Sequence, residues 1–250
     1  MILRRLPDSR FSEVVSEWKG LTAVLIGGGP SLTFADVELV RGAHEAGRVH
    51  CIAINDAYLW APWADLLYAA DASWHNAHRV GTPKPMLRLS ADQVRERFAA
   101  FAGQKCSIQS QVGNITDDAT HVLRNARVAP NGQLMHDVGL SLEPGALITG
   151  SNSGWQALNV AALAGANPII LLGYDAKADK DGRTHWSGGH QGSTSGEAEW
   201  LAYRKAFSGG QNALKAAGIR VINCSPGSAI DTFEKMPLNE ALALCTSLTT

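Results

Sequence analysis

The sequence predicts an α/β protein of the Rossmann-like, doubly wound kind: a mostly parallel sheet with helices on both faces and a lid-like insertion. Three observations carry that expectation. Short unbroken apolar runs recur, as in Ala23–Ile26 and Pro168–Gly173, and each is bounded by turn residues, the pattern of strands buried on both faces. Helical or loop stretches alternate with these runs. The runs end in glycine, hydroxyl, amide or acid residues, and ligands of open α/β sheets sit beyond the carboxyl ends of the strands.

Taken in order, Phe11–Lys19 reads as a short amphipathic helix with Phe11, Val14, Val15 and Trp18 on one face, ended by Gly20. Ala23–Ile26 is the first sheet strand. It runs into Gly27, Gly28, Gly29, Pro30 and Ser31. Glycines accept positive φ and let a ligand approach the backbone. Pro30 fixes its own φ, and Ser31 is the expected N-cap of a helix from Thr33 to Ala43, with Asp36 in its first turn. Bare amides at such a corner suit an anion. GGGPSL is neither the dinucleotide fingerprint, since Leu32 stands where a third glycine is needed, nor a Walker A loop, since no Gly-Lys-Ser/Thr follows. A strand-to-helix turn without a ligand is the other reading of these glycines.

Arg48–Asn55 is a second strand that ends in Asn55 and Asp56, and Ala64–Asp71 is a third that closes in Asp71. Trp74, His75 and His78 follow on a turn or short helix. Residues 81–143 are read as a lid or small subdomain, or equally as a surface insertion, with a helix over Ala91–Ala102 and a brief strand over Cys106–Gln109. Leu147–Thr149 is extended. Gly150, Ser151, Asn152, Ser153 and Gly154 then repeat the logic of the first corner before a helix over Trp155–Ala164. Pro168–Gly173 is another buried strand, with Tyr174 and Asp175 at its end.

Asp181–Gly196 is dense in glycine and serine and carries Arg183, His185, Trp186 and His190. One of its histidines could serve as a general base, both could be solvated loop residues, or both could join Asp175 on a divalent cation. Glu197–Ala217 reads as a helix interrupted at Gly209-Gly210, Arg220–Cys224 as the last sheet strand, Ser225–Ser228 as a third small-residue turn and Leu238–Leu244 as a terminal helix.

Bulk properties narrow the function classes. The 250 residues are 45% hydrophobic, enough for a substantial core and one large α/β domain over 1–250. A net charge of −1 supplies no basic field for nucleic acid or an anionic membrane. No apolar run is long enough to span a bilayer, and the N-terminus has no signal-like core, so a cytoplasmic setting is expected. Cys51, Cys106, Cys224 and Cys245 lack metal-site spacing and read as buried free thiols.

Together, GGGPSL, AINDAY, TGSNSGWQALN, LLGYD, HWSGGH and VINCSPGSAIDTF resemble, in the same order, the bacterial sialyltransferase superfamily and the related DUF115 proteins. That group includes flagellin-modifying glycosyltransferases and an archaeal 6-hydroxymethylpterin diphosphokinase, and the overall similarity is to phage and prophage proteins of unassigned function. The resemblance implies a nucleotide site made by Gly27, Gly28, Gly29, Pro30, Ser31, Asn55, Asp56, Asp71, Thr149, Ser151, Asn152, Ser153, Gly154, Gly173, Tyr174 and Asp175. It implies a CMP-activated sugar as donor, a small acceptor, no required cofactor, and a histidine base, with His190 matching best and His185 next. Two departures stand: the family's Asn-Gly is Gly28-Gly29 here, and its paired phosphate-binding tyrosines are not evident after Tyr174. The alternative activity is pyrophosphoryl transfer from ATP, with Asp71 and Asp175 holding Mg²⁺. A third reading is a non-catalytic phage accessory protein that binds a nucleotide, and association with further copies of the chain stays open.

Overall fold

A computed structural model describes residues 1–109, 115, 119–187 and 196–245. Two short antiparallel strands open the chain, β1 (Leu3–Arg5) and β2 (Ser12–Val14). Then follow β3 (Thr22–Ile26), α1 (Phe34–Glu45), β4 (Val49–Ile54), β5 (Leu66–Tyr68), α2 (Ala72–Val80), α3 (Ala91–Ala99), β6 (Gln104–Ile108) and β7 (Thr120–Asn125). The chain continues through β8 (Ala146–Leu147), α4 (Ser153–Leu163), β9 (Ile169–Leu172), α5 (Glu197–Ala216), β10 (Val221–Asn223), β11 (Glu234–Lys235) and α6 (Leu238–Ala243). Among the described residues nine strands form one sheet in the order β11-β10-β9-β3-β4-β5-β6-β7-β8, and every pairing in it is parallel.

Period-two alternation along the central strands explains the layering. Ala23, Leu25, Ile52, Ile54, Ile169 and Leu171 point to one face, where Trp155 and Leu158 of α4 and Phe207 and Leu214 of α5 cover them. Their neighbours Val24, Ile26, Cys51, Ala53, Ile170 and Leu172 point to the other, against Val37 and Val40 of α1 and Leu238 and Ala241 of α6. Both faces are therefore dry, which is why these runs are apolar at every position. All four cysteines are buried and free. No helix among the described residues is long and apolar enough to cross a membrane.

The fold departs from the sequence reading in several elements. Phe11–Lys19 is not a helix: Ser12–Val14 pairs with β1, so Leu3 faces Val14, and Trp18 is buried by a turn that stacks its ring on His50 at 4.6 Å. Apolar residues three and four apart fit a helix, yet β-branched Val14 and Val15 fit the strand and turn as well. Within residues 81–143, read as a lid or insertion, the expected helix and brief strand are α3 and β6, but both join the layers together with the unexpected β7, and the irregular stretch after β7 contributes Leu134 and His136 to the cavity described below. Helix α5 runs unbroken through Gly209-Gly210, and the second glycine is there because Trp155 fills the space where a side chain at 210 would go. Beyond β10, β11 adds a further edge strand.

The cap of α1 also differs from expectation. Thr33, with extended backbone angles, accepts a hydrogen bond from the Asp36 amide at 3.2 Å, and Ser31 stands outside the helix. Thr33→Ala is expected to cost about 1 kcal/mol of stability, the usual loss for a side-chain cap. A denaturant titration of Thr33→Ala beside wild type checks this.

Candidate functional site

Chain order reverses between β3 and β9. From β3 the strands step one way to β8, and from β9 they step the other way to β11. Above the carboxyl ends lies a cavity of about 1050 Å³, at the upper end of the range for small-molecule sites. It reaches from Gly173 after β9 to Asn125 at the end of β7, a span of five strand spacings or about 24 Å.

The first corner is tighter than its glycines suggest. Gly27, Gly28 and Gly29 line the cavity, whereas Pro30 and Ser31 do not. None of the three glycines has positive φ. They are needed because the neighbouring loop lies against them. A Cβ on Gly27 would fall 2.7 Å from the Gly173 carbonyl, and one on Gly29 would fall 1.9 Å from Asp175 Oδ2 and 2.6 Å from the same carbonyl. The Gly27 amide donates to Leu172 O at 2.7 Å and the Gly29 amide to Gly173 O at 2.8 Å. Ser31 donates to Asp175 Oδ2 from its amide at 3.3 Å and from its hydroxyl at 2.8 Å. The anion expected at Ser31 is thus the protein's own carboxylate. Burial pushes the Asp175 carboxyl up, against the opposing pull of Ser31 and Lys177. Of this corner's amides, that of Gly28 has no partner among the described residues.

The second corner keeps its donors. Gly150 and Ser151 both take positive φ, 51° and 56°. The Asn152 side chain accepts from the Trp155 amide at 2.6 Å and donates to Gly150 O at 2.9 Å, so it is committed to capping α4. The amides of Ser151, Ser153 and Gly154 have no partner among the described residues, and all three residues line the cavity. The first turn of α4 holds no acidic residue, so its positive end stands uncompensated. The buried Thr149 hydroxyl beside them has no partner among the described residues either. Tyr174 braces this corner by donating from its hydroxyl to Gly154 O at 3.1 Å. A Cβ on Gly154 would fall 2.9 Å from the same ring.

The third turn is support and not lining. Ser225 Oγ accepts from the Tyr174 amide at 2.7 Å, and Ser228 Oγ donates to Tyr174 O at 2.6 Å. Both serines are buried and neither reaches the cavity.

Among the strand-end groups, Asn55 lines the cavity with φ of 51°. Asp56 is turned into the wall. Its Oδ2 accepts from Lys84 Nζ at 2.7 Å, while Oδ1 accepts from Trp74 Nε1 at 3.1 Å and lies 3.2 Å from His78 Nε2. Burial alone would raise the Asp56 carboxyl, but His78 and Lys84 outweigh it and hold it well below the usual carboxylate range. Asp71 caps α2 in position only: it makes no capping bond and stands exposed at the cavity. Three of the five non-glycine residues with positive φ among the described residues, Asn55, Ser151 and Ala176, line this cavity.

His185 lies over Gly28, its Cδ2 3.2 Å from where a Gly28 side chain would begin, and its Nδ1 is 3.0 Å from Thr184 Oγ1. Trp186 packs on Trp60 at 3.7 Å between ring centroids. His190 lies outside the described residues. His75 is buried against Ala69 O at 3.0 Å. Asp71 and Asp175, the expected Mg²⁺ pair, end strands three places apart, about 14 Å. Oxygen ligands at about 2.1 Å from one ion do not bridge such a gap. Among the described residues no three His, Cys, Asp or Glu side chains are grouped to hold a metal.

Sequence reasoning missed Lys84, Gln109, Asn125, His136 and Lys177 as lining residues. Gln109 and Asn125 obey the strand-end rule that found Asn55 and Asp71. They escaped because β6 and β7 lie in the stretch read as an insertion.

No family model matches the chain, and no curated relative does. Among solved structures it is similar to the MAf glycosyltransferase of Magnetospirillum magneticum AMB-1, with a TM-score of 0.55 and 17% identity over 93% of this chain and 36% of that one. The chain therefore spans little more than a third of that protein's length, and the likeness establishes the α/β fold. A second similarity, to phospho-2-dehydro-3-deoxyheptonate aldolase of Thermotoga maritima, has a TM-score of 0.31 and 10% identity over 96% of this chain and 71% of that one. It is too distant to carry an argument.

Proposed function

We propose that the cleft binds a nucleotide-activated sugar of the CMP type and transfers the sugar to a small acceptor. The observation that carries this reading is the set of unpartnered amides at Ser151, Ser153 and Gly154, which open at the positive end of α4 into the same cavity as Gly28 and His185. Donors fixed in that way stabilise the charge gathered on a departing phosphate and need no reorganisation to do so. The fold shared with a glycosyltransferase agrees with the reading.

In the reaction the acceptor hydroxyl loses its proton to a histidine of the loop after β9 as its oxygen attacks the anomeric carbon. The bond from that carbon to the phosphate oxygen breaks, and its electron pair leaves on CMP. His190 is the first choice for the base by the resemblance, and His185, above Gly28, is the second. The separation of Asp71 from Asp175 favours this chemistry over the Mg²⁺-dependent transfer from ATP.

CMP is expected to stabilise the protein without added metal, by about 2.7 kcal/mol at a hundredfold excess over its Kd. Thermal unfolding with CMP, CDP, ATP and GTP, each with and without Mg²⁺, checks this. A response to ATP alone that needs Mg²⁺ would favour pyrophosphoryl transfer. His190→Ala and His185→Ala, assayed for sugar transfer, then decide the base: the true one loses 10²–10⁴-fold in rate and keeps CMP binding.

A further inference from the structure

Among the described residues six aromatic side chains of Trp, Tyr and Phe line the cavity, and four of them are already spent on the protein. Trp74 stacks on His78 at 3.7 Å, and Trp186 packs on Trp60 at 3.7 Å. Phe207 meets Trp155 and Tyr174 edge-on, at 5.5 and 5.9 Å. The other two, Trp200 and Tyr203, have no ring partner, and neither the indole nitrogen nor the phenol hydroxyl makes a hydrogen bond among the described residues. Nor does the core need them. The buried residues of α5 are Ala206, Phe207, Gly210 and Leu214, so packing against the sheet begins only in the third turn, and both side chains stand half-buried ahead of it.

Their place along the helix fixes what they face. Trp200, Tyr203 and Phe207 recur at intervals of three and four residues and share one face of α5. At its inner end that face abuts the amide corner. A Cβ on Gly150 would fall 2.8 Å from Ala206 Cβ, and Tyr174, which Phe207 touches, donates to Gly154 O at 3.1 Å. From Phe207, Tyr203 stands about 6 Å and Trp200 about 10 Å along the helix axis toward its N-terminus.

We propose that Trp200 and Tyr203 form a stacking platform for the pyranose ring of the sugar that is transferred. That the ring belongs to the donor rests on the glycosyl-transfer reading, but the stacking of a pyranose here does not. An aromatic face is the negative side of the ring quadrupole. A pyranose with axial hydrogens lays a flat apolar face on it, of slightly positive character, and keeps its hydroxyls at the rim. A ring bonded directly to a phosphate in the amide corner comes within one helical turn of Tyr203, whereas a nucleobase is held off by the ribose between.

The test uses methyl β-D-glucopyranoside, whose ring hydrogens are all axial, and sorbitol, which has the hydroxyls without a ring face. Each is titrated into the full chain by ligand-observed NMR, with and without CMP. Wild type is expected to bind the pyranoside about fivefold more tightly than sorbitol, the factor that one aromatic stacking contact supplies. Saturation transfer should be strongest at the axial hydrogens of one face. Trp200→Leu and Tyr203→Leu keep apolar bulk without a flat face, and each should remove that preference. Tyr203→Phe should keep it, and all three variants should unfold with wild type. Equal affinity of wild type for the two probes, an unchanged preference in either leucine variant, or no binding of the pyranoside overturns the proposal. Cytidine that loses affinity in the leucine variants while the pyranoside keeps its own would make this wall a nucleobase platform and overturn it as well. The CMP titration reports separately on the nucleotide. If the pyranoside behaves as expected but CMP does not bind, the transfer reading falls and the platform stands; CMP binding without the pyranoside leaves that reading and removes the platform.

Discussion

Asp56→Ala is expected to lower stability by about 4 kcal/mol at neutral pH, the cost of removing one partner from a buried ion pair. In a chain of this length that lowers the unfolding midpoint by about 12 °C. The loss is large because the other members stay where they are. Lys84 keeps a half-buried ammonium without its closest counter-ion, and Trp74 Nε1 loses its acceptor. Trp74 and His78 stack at 3.7 Å on α2, so the whole segment loosens together. The pH dependence has a definite direction. Asp56 is depressed in the folded state, so its contribution is complete above the ordinary carboxylate pKa of about 3.9 and drains away as pH falls below that value. Calorimetric unfolding of wild type and Asp56→Ala at pH 7 and pH 3 should show the gap between them narrowing in acid. A gap that is the same at both pH values would mean that the carboxylate's charge does not hold this wall.

Gly29→Ala is expected to cost about 3 kcal/mol, the upper part of the range for overpacking a filled site, and to abolish the nucleotide binding proposed above. The new methyl group would meet Asp175 Oδ2 and, behind it, the Gly173 carbonyl at 2.6 Å. The carboxylate could swing aside only by abandoning both Ser31 donors. The carbonyl cannot swing at all, because it belongs to the backbone that also receives the Gly29 amide. The corner between β3 and β9 must then spread, and with it the wall against which His185 and Trp186 rest. Thermal unfolding together with CMP calorimetry checks both effects. A variant that unfolds with wild type and binds CMP equally well would show that the contact between the two loops is softer than these distances imply.

The layers were legible in the sequence because burial on both faces writes an unmistakable signature into β3, β4 and β9. The strand-end rule likewise found Asn55, Asp71 and the Ser151–Gly154 corner. Where the reading went astray, a local pattern had two physical solutions. Phe11–Lys19 satisfies helical spacing and also a strand followed by a turn, and only pairing with Leu3–Arg5 decides between them. β6 was read as Cys106–Gln109, two residues late at its start, whereas β7 was obscured because Thr120–Asn125 carries histidine and arginine near the sheet's less buried flank. The fate of the first corner's amides could not be read at all. Which carbonyl or carboxylate meets Gly29 or Ser31 depends on residues 144 positions away. Glycine in such a corner announces close approach, but not whether a ligand or the protein's own chain makes it.

The flanks of the sheet bear on how copies of this chain could meet. Its outermost ribbons, β8 and β11, are two residues long, and β11 is the charged pair Glu234-Lys235. Ribbons so brief offer a docking strand scarcely any main-chain partners, and charges along the rim discourage stacking end to end. Any self-assembly would therefore meet through helices or loops, leaving each subunit's sheet a closed unit and its ligand cleft free of a neighbour's edge.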